Sequence, residues 1–361
     1  MGQILKIREL ERDDELGSVK KQISAQNGDF SFETPVVSQR RPKTTEGLNP
    51  LKINEVSRPI TKKSINELET RGITPFAYEI KREQFTDRLN LTLFNLTFDR
   101  VPDERTTRLL ANALYSSSKD VMVLPTVRAA LLQEIIPTRK TPVYSIRKID
   151  DYLKMMRTII DTNKFRNGKE LVGTIPLIPP KFVRPIIDFY IEQEIQAFAI
   201  DANFKDIILN EGDFRLILTE INNEKPLNET VIFAFNVGNP QYEQHAIRSD
   251  DFLSIFAYVD VLGLTSKPRF GGGSSRAKVF SREDYAYDVY PTYSAASQAI
   301  GKNLTYYTLK EHNRLEQLKE TYKVRGIIGD EKVKKYLQTK EGVDTVSMKK
   351  LESIAHNIRV S

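Results

Sequence analysis

The chain has 361 residues, 40% of them hydrophobic, and a formal net charge of +6. That is enough apolar material for one large core, but no run approaches the twenty or so apolar residues that a membrane-spanning helix needs. Cysteine is absent and histidine occurs three times, which excludes disulfides and thiolate metal sites and argues against a histidine-rich one.

Residues 1–28 are charged and lack a clear apolar face, so strand, helix and mobile chain all stay open for them. They carry too many charges for a secretory signal, and the protein is expected in the cytoplasm, away from membranes. Phe30–Val37 reads as the first strand. Ser38–Pro59 is basic, rich in Pro, Thr and Asn and without a period, which predicts a long loop. Ile60–Gly72 reads as a helix capped by Thr61, with Ile65 and Leu68 inward and Gly72 at its end. Thr74–Ile80 and Leu91–Thr97 are strand candidates. A helix from Asp103 to about Ser116, a strand over Val121–Pro125 and a helix over Ser145–Asp161 follow. Next come the strand Leu171–Leu177, the proline-started helix Pro180–Gln193, the strand Ala197–Asp201 and the helix Phe214–Ile221.

The stretch Val231 to Gly273 then runs strand, helix, strand, loop. Val231–Val237 is an apolar run closed by a Gly-Asn-Pro turn. Ser249 or Asp250 caps a helical segment, Tyr258–Leu264 is a second short run, and Lys267–Arg276 is a basic glycine-rich loop. The alternation over the whole chain predicts a parallel α/β fold, and the seven to eight strand–helix pairs favour a closed (β/α)8 TIM-type barrel over an open sheet. The C-terminal part reads as three helical stretches: Leu304 to about Val324, Glu331–Thr339 and Ser347–Ile358. The expected division is a charged segment 1–28, a barrel 29–282 and a helical C-terminal region 283–361.

Several short stretches resemble the tRNA-guanine transglycosylases, barrel enzymes that exchange a guanine in nucleic acid for a 7-deazaguanine. Glu33-Thr34-Pro35-Val36 resembles the start of that family's first strand, and Ile60-Thr61 with Leu68 and Gly72 its next helix. Asn236-Val237-Gly238-Asn239-Pro240 stands for the family's G-V-G-x-P turn. Tyr258-Val259-Asp260-Val261-Leu262-Gly263 stands for G-V-D-x-F-D, and Thr265-Ser266-Lys267-Pro268-Arg269 for the basic P-T-R loop. The order and spacing agree from about Glu33 to about Arg325.

The chemistry agrees only in part. The family's nucleophile is the second aspartate of G-V-D-x-F-D, a carboxylate that attacks the ribose carbon. That place is Gly263 here, while the first aspartate is kept as Asp260. The S-G-G-F-Q loop has no counterpart. Gly173-Thr174-Ile175-Pro176 replaces the family's Q-G-G, and Asp201-Ala202 replaces its Gly-Gly. The C-x-C-x-x-C motif of the family's zinc site becomes Tyr285-x-Tyr287-x-x-Tyr290, with His312-Asn313 near the position of the zinc histidine. Phenols are poor zinc ligands at neutral pH, so stacked tyrosine rings are expected to replace the metal, and no cofactor is expected.

Asp260 and Asp201 are the candidate catalytic carboxylates, each at an expected strand end, where they would converge on one pocket. The alternative for each is a loop cap or a pair with a rim arginine. Asn236, Arg128, Lys267, Arg269 and Arg276 are the candidate substrate contacts, the basic ones toward phosphate. The resemblance implies a nucleic-acid partner, tRNA ahead of DNA. Three readings follow: a catalytically degenerate nucleic-acid binder, as a silent subunit beside a catalytic partner; an active base-exchange enzyme with a rearranged carboxylate site; or a barrel enzyme for a small phosphorylated ligand.

Overall fold

The structure is a computed structural model and describes residues 5–13, 15–26, 28–40, 52–127, 129–136, 141–166, 168–238, 246–264, 276–329 and 332–361. The charged N-terminal segment forms an antiparallel sheet of β1 (Leu5–Arg12), β2 (Val19–Ala25) and β3 (Ser31–Glu33). Val19, Lys21, Ile23 and Ala25 are buried at every second position, so the face that composition hid is the period-two face of a strand. The expected strand Phe30–Val37 is divided: β3 belongs to this sheet, whereas β4 (Val36–Val37) pairs elsewhere.

The predicted loop 38–59 contains a full strand, β5 (Ile53–Ile60). Its first four residues, Ile53, Asn54, Glu55 and Val56, are all buried, so polar side chains occupy core positions and no apolar alternation remains to be read. Thr61 then caps α1 (Lys62–Arg71) in a capping box with Ser64, and Ile65 and Leu68 are buried as expected. The next segment corrects a strand expectation. Ile73–Lys81 is a helix, α2, whose buried Ala77 and Ile80 are three apart while Tyr78 between them is 63% exposed. Its aromatic residues suggested a strand, but Pro75 fits a helix's first turn.

From here the elements follow the expected order: β6 (Leu89–Leu96), α3 (Glu104–Ser117), β7 (Val121–Val123), β8 (Thr126–Val127), β9 (Gln133–Glu134), β10 (Val143–Tyr144), α4 (Ile146–Asn163), β11 (Glu170–Pro176), α5 (Pro180–Glu192), β12 (Ala197–Asp201), α6 (Glu211–Glu224) and β13 (Val231–Phe235). After β14 (Ala246–Arg248) and a single turn, α7 (Asp250–Leu253), the chain enters β15 (Val261–Leu262). Strands β11, β12 and β13 are buried along their whole length, as parallel strands covered by helices are.

The result is a mixed α/β fold with a six-stranded parallel sheet in the order β4-β15-β13-β12-β11-β7. A second parallel sheet runs β5-β6-β8. A parallel bridge between Gln39 and Asn54 connects β4's continuation to β5. None of the described helices is long and apolar enough to cross a membrane.

The C-terminal part begins with the hairpin β16 (Ala277–Ser281) and β17 (Ala286–Tyr290), to which β14 adds a third strand. This sheet runs across residue 282, where the domain boundary was expected. Four helices follow, α8 (Tyr293–Ile300), α9 (Tyr306–Arg325), α10 (Val333–Gln338) and α11 (Thr345–Val360). Ser353 of α11 donates to Glu211 and accepts from Arg215 of α6, holding the last helix to the α/β body.

Tyr285 and Tyr287 join one buried aromatic cluster with Phe252, Phe256, Phe280 and Tyr336. Tyr285 donates to Glu320 at 2.7 Å, and Tyr336 donates to the same oxygen. Tyr287 donates to Asp251 at 2.7 Å and accepts from Gln317. Tyr290 packs in a separate small cluster, so two of the three spaced tyrosines act together. Asn313 clamps β16 by accepting from Phe280 N and donating to Lys278 O. Burial holds the neighbouring His312 below the usual histidine pKa.

Candidate functional site

A polar group marks the C-terminal end of each parallel strand. Ser38 follows β4, Glu55 and Ser57 lie on β5, Asn95 on β6 and Thr126 on β8. Thr174 lies on β11, Asp201 ends β12, and Asn236 follows β13. In α/β folds ligands collect at these ends of the strands.

Two hydrogen-bonded groups stand out. In the first, Asn95 donates to Ser57 at 2.6 Å and accepts from Thr126 at 2.6 Å, while Thr174 donates to Leu124 O at 2.5 Å. Ser57 and Asn95 are half-buried, whereas Thr126 and Thr174 are buried. In the second, Asn236 Nδ2 and Asn203 N both donate to Oδ1 of Asp201, at 2.9 and 3.0 Å. Burial raises the pKa of Asp201 against the opposing pull of those donors.

The backbone around Asp201 is tightly folded. Asn203, Phe204 and Asn236 all have positive φ, a conformation that costs a non-glycine residue roughly 1–3 kcal/mol unless its surroundings enforce it. Phe204 N bonds Asn236 O and Gly238 N bonds Lys205 O. A Cβ on Gly238 would lie 2.1 Å from Phe204 O, so only glycine allows the two strand-end loops to approach this closely.

Glu55 is the site residue that the sequence reading missed. It is 1% exposed, and its Oε2 accepts from Ser38 Oγ at 2.7 Å and from Leu264 N at 2.9 Å. Its Oε1 has no hydrogen-bond partner among the described residues. Burial raises its pKa, against Leu264 N, Ser38, Arg314 and Arg40, which lower it. Arg314, from α9, donates to Gly263 O and to Gln317 at 2.7 Å. The only available sequence signal was an acid inside a supposed loop.

Asp260 is placed differently. It lies just ahead of β15 and accepts from Lys21 Nζ at 2.8 Å, Ile232 N at 2.8 Å and Thr34 Oγ1 at 3.2 Å. Lys21 Nζ also donates to Leu227 O and Thr230 O, which uses all three ammonium protons. Phe233 pairs with Val261 and Phe235 with Asp201. Asp260 therefore stands level with Ile232, three residues or roughly 10 Å nearer the N-terminal ends of the strands than Asp201. The two aspartates do not share a pocket, because one precedes its strand and the other ends its own.

Asn236 does meet Asp201, as described. Arg276 is exposed, immediately before β16. Arg128, Lys267 and Arg269 lie outside the described residues. At Gly263, a Cβ would lie 2.0 Å from the Phe235 ring and 3.0 Å from Ala234 O, so that position is closed to any side chain.

A third carboxylate arrangement joins the loop after β12 to α7. Burial and the neighbouring charge of Asp206 push the carboxyl of Asp250 up to about 8, and the two share a hydrogen bond. Arg248 holds Asp250 at 3.1 Å and also pairs with Asp344, the cap of α11. A separate groove of about 440 Å³ lies between α3 and α4, lined by Arg100, Glu104, Lys148, Asp151 and Lys154 among others. It contains none of the strand-end groups. No known family matches the chain, and no curated protein matches it.

Proposed function

We propose that the parallel strands form one (β/α)8 barrel of the transglycosylase type, and that the protein binds nucleic acid, tRNA ahead of DNA, over the C-terminal ends of its strands without carrying out base exchange through position 263. Eight parallel strands, β4, β5, β6, β7, β11, β12, β13 and β15, succeed one another in chain order. The bridge from Gln39 to Asn54 supports closure on one side. The pairing of β6 with β8, which directly follows β7, supports it on the other. The single observation that carries the degenerate reading is the Phe235 ring against Gly263. The resemblance requires a nucleophilic carboxylate there, and the space for one is filled. The basic stretches on either side of β4 and after β15 suit phosphate contacts. A silent subunit beside a catalytic partner fits this arrangement.

The test combines two measurements on the full chain. Binding of labelled tRNA and of duplex DNA is titrated over a salt series, and incorporation of labelled guanine is followed in parallel. The expected result is affinity that falls steeply with salt and no incorporation. Binding indifferent to salt would sink the nucleic-acid reading. Incorporation would instead favour the active reading, for which the buried, raised-pKa Asp201 is the observation, and Asp201→Asn would then abolish it.

A further inference from the structure

The carboxyl of Glu55 is the one buried acid at the C-terminal strand ends whose bonding is half complete. Oε2 is fixed by a serine hydroxyl from β4's end and a backbone N–H from β15's end, so the group is held from both sides. Oε1 is left without a partner among the described residues. Leaving such an atom unsatisfied costs about 1–3 kcal/mol, a cost that a ligand's hydrogen bond would remove. Ser57, two residues along the same strand face, is half-buried, and Pro59 beyond it is exposed. The strand therefore runs from buried Glu55 to solvent within four residues.

The charged groups acting on Glu55 are Arg314 from α9 and Arg40 beyond β4. Among the described residues neither forms a contact ion pair with it. Arg314 uses donors on Gly263 O and Gln317, and a guanidinium has five N–H groups in all. An acceptor and a donor array thus stand near each other beside the end of β15.

We propose that Glu55 and Arg314 form a recognition site for an amide-like ring edge, an N–H beside a C=O as guanine and uracil carry, in which the N–H docks on Glu55 and the carbonyl faces Arg314. The proposal rests on the nucleic-acid reading above and names the chemistry that its bases would present. Glu55 is protonated before the ligand arrives. Accepting the ligand's N–H requires the carboxylate, so its proton leaves to the buffer and the binding is proton-releasing.

Calorimetric titration in two buffers of different ionisation enthalpy tests this at pH 7. The probes are guanosine and uridine, with adenosine, which lacks the N–H/C=O edge, as control. The expected result is binding of guanosine or uridine with net proton release, and none of adenosine. Glu55→Gln should weaken that binding at least tenfold and remove the proton release while the variant still melts cooperatively. Equal affinity and equal proton release in Glu55→Gln would overturn the proposal. So would failure of both nucleosides to bind the unaltered protein. The tRNA and DNA titration decides the nucleic-acid reading separately, so the two failures are distinguishable.

Discussion

Asp260 and Glu55 are both acids buried against β15, one ahead of the strand and one beyond it. At the N-terminal side, Asp260 has a lysine, a threonine hydroxyl and a backbone N–H, and its lysine has three acceptors. Nothing is left over. At the C-terminal side, Glu55 has two donors on one oxygen and none on the other, and the nearby arginine is committed to Gly263 O and Gln317. A fully satisfied buried pair holds structure together. A half-satisfied one is a standing cost, kept where something else completes it. The N-terminal sheet supplies Lys21 and so staples β2 to the start of β15. The other end keeps its polar groups for a visitor.

The largest expected effect breaks the finished end. Lys21→Met strands Asp260 without its cation in a dry setting, and should cost about 3–5 kcal/mol of stability by urea denaturation. A loss under about 1 kcal/mol, the range of exposed pairs, would mean that the staple does not hold the N-terminal sheet.

The next tests whether position 263 is closed. Gly263→Asp must displace the Phe235 ring, and overpacking of this kind costs roughly 1–3 kcal/mol before the buried charge is counted. Thermal unfolding should show this loss, with no base exchange gained. A variant as stable as the parent that incorporates labelled guanine would show that the nucleophile's place was open after all.

The smallest effect concerns the unfinished end and depends on pH. Glu55 has its pKa raised on folding, so the folded protein holds this proton more tightly than the unfolded chain. Below the ordinary glutamate value of about 4.3 both states are protonated and nothing is lost. As pH rises above that value, the folded state is progressively penalised. Glu55→Gln removes the penalty, and should match the parent's melting temperature near pH 4 and exceed it at pH 8, by on the order of 1 kcal/mol. A variant that is equally less stable at both pH values would assign Glu55 a purely structural bond.

The parallel α/β order was legible in the sequence because most strands there are continuous apolar runs and most helices bury a 3.6-residue face. Ala197–Asp201 and the capped helix after Thr61 are read from the residues alone, since local sterics and capping fix them. Strand β5 was hidden because Asn54 and Glu55 take core positions through tertiary hydrogen bonds that no period reveals, and Glu55 was lost with it. Helix α2 was misread as a strand because its aromatic residues resemble strand composition, and only packing shows which of them face inward. The pairing of Asp201 with Asn236 was within reach of strand-end reasoning. The fate of Asp260 was not: whether an aspartate beside a two-residue strand faces a ligand or a lysine 239 positions away is decided by register and by what the N-terminal sheet brings to it. Sequence by itself determined the kinds and order of elements, since these follow from local preference and hydrophobic spacing. Tertiary structure alone decided which buried acids are finished and which are waiting, because satisfying a charge out of water takes partners from distant parts of the chain.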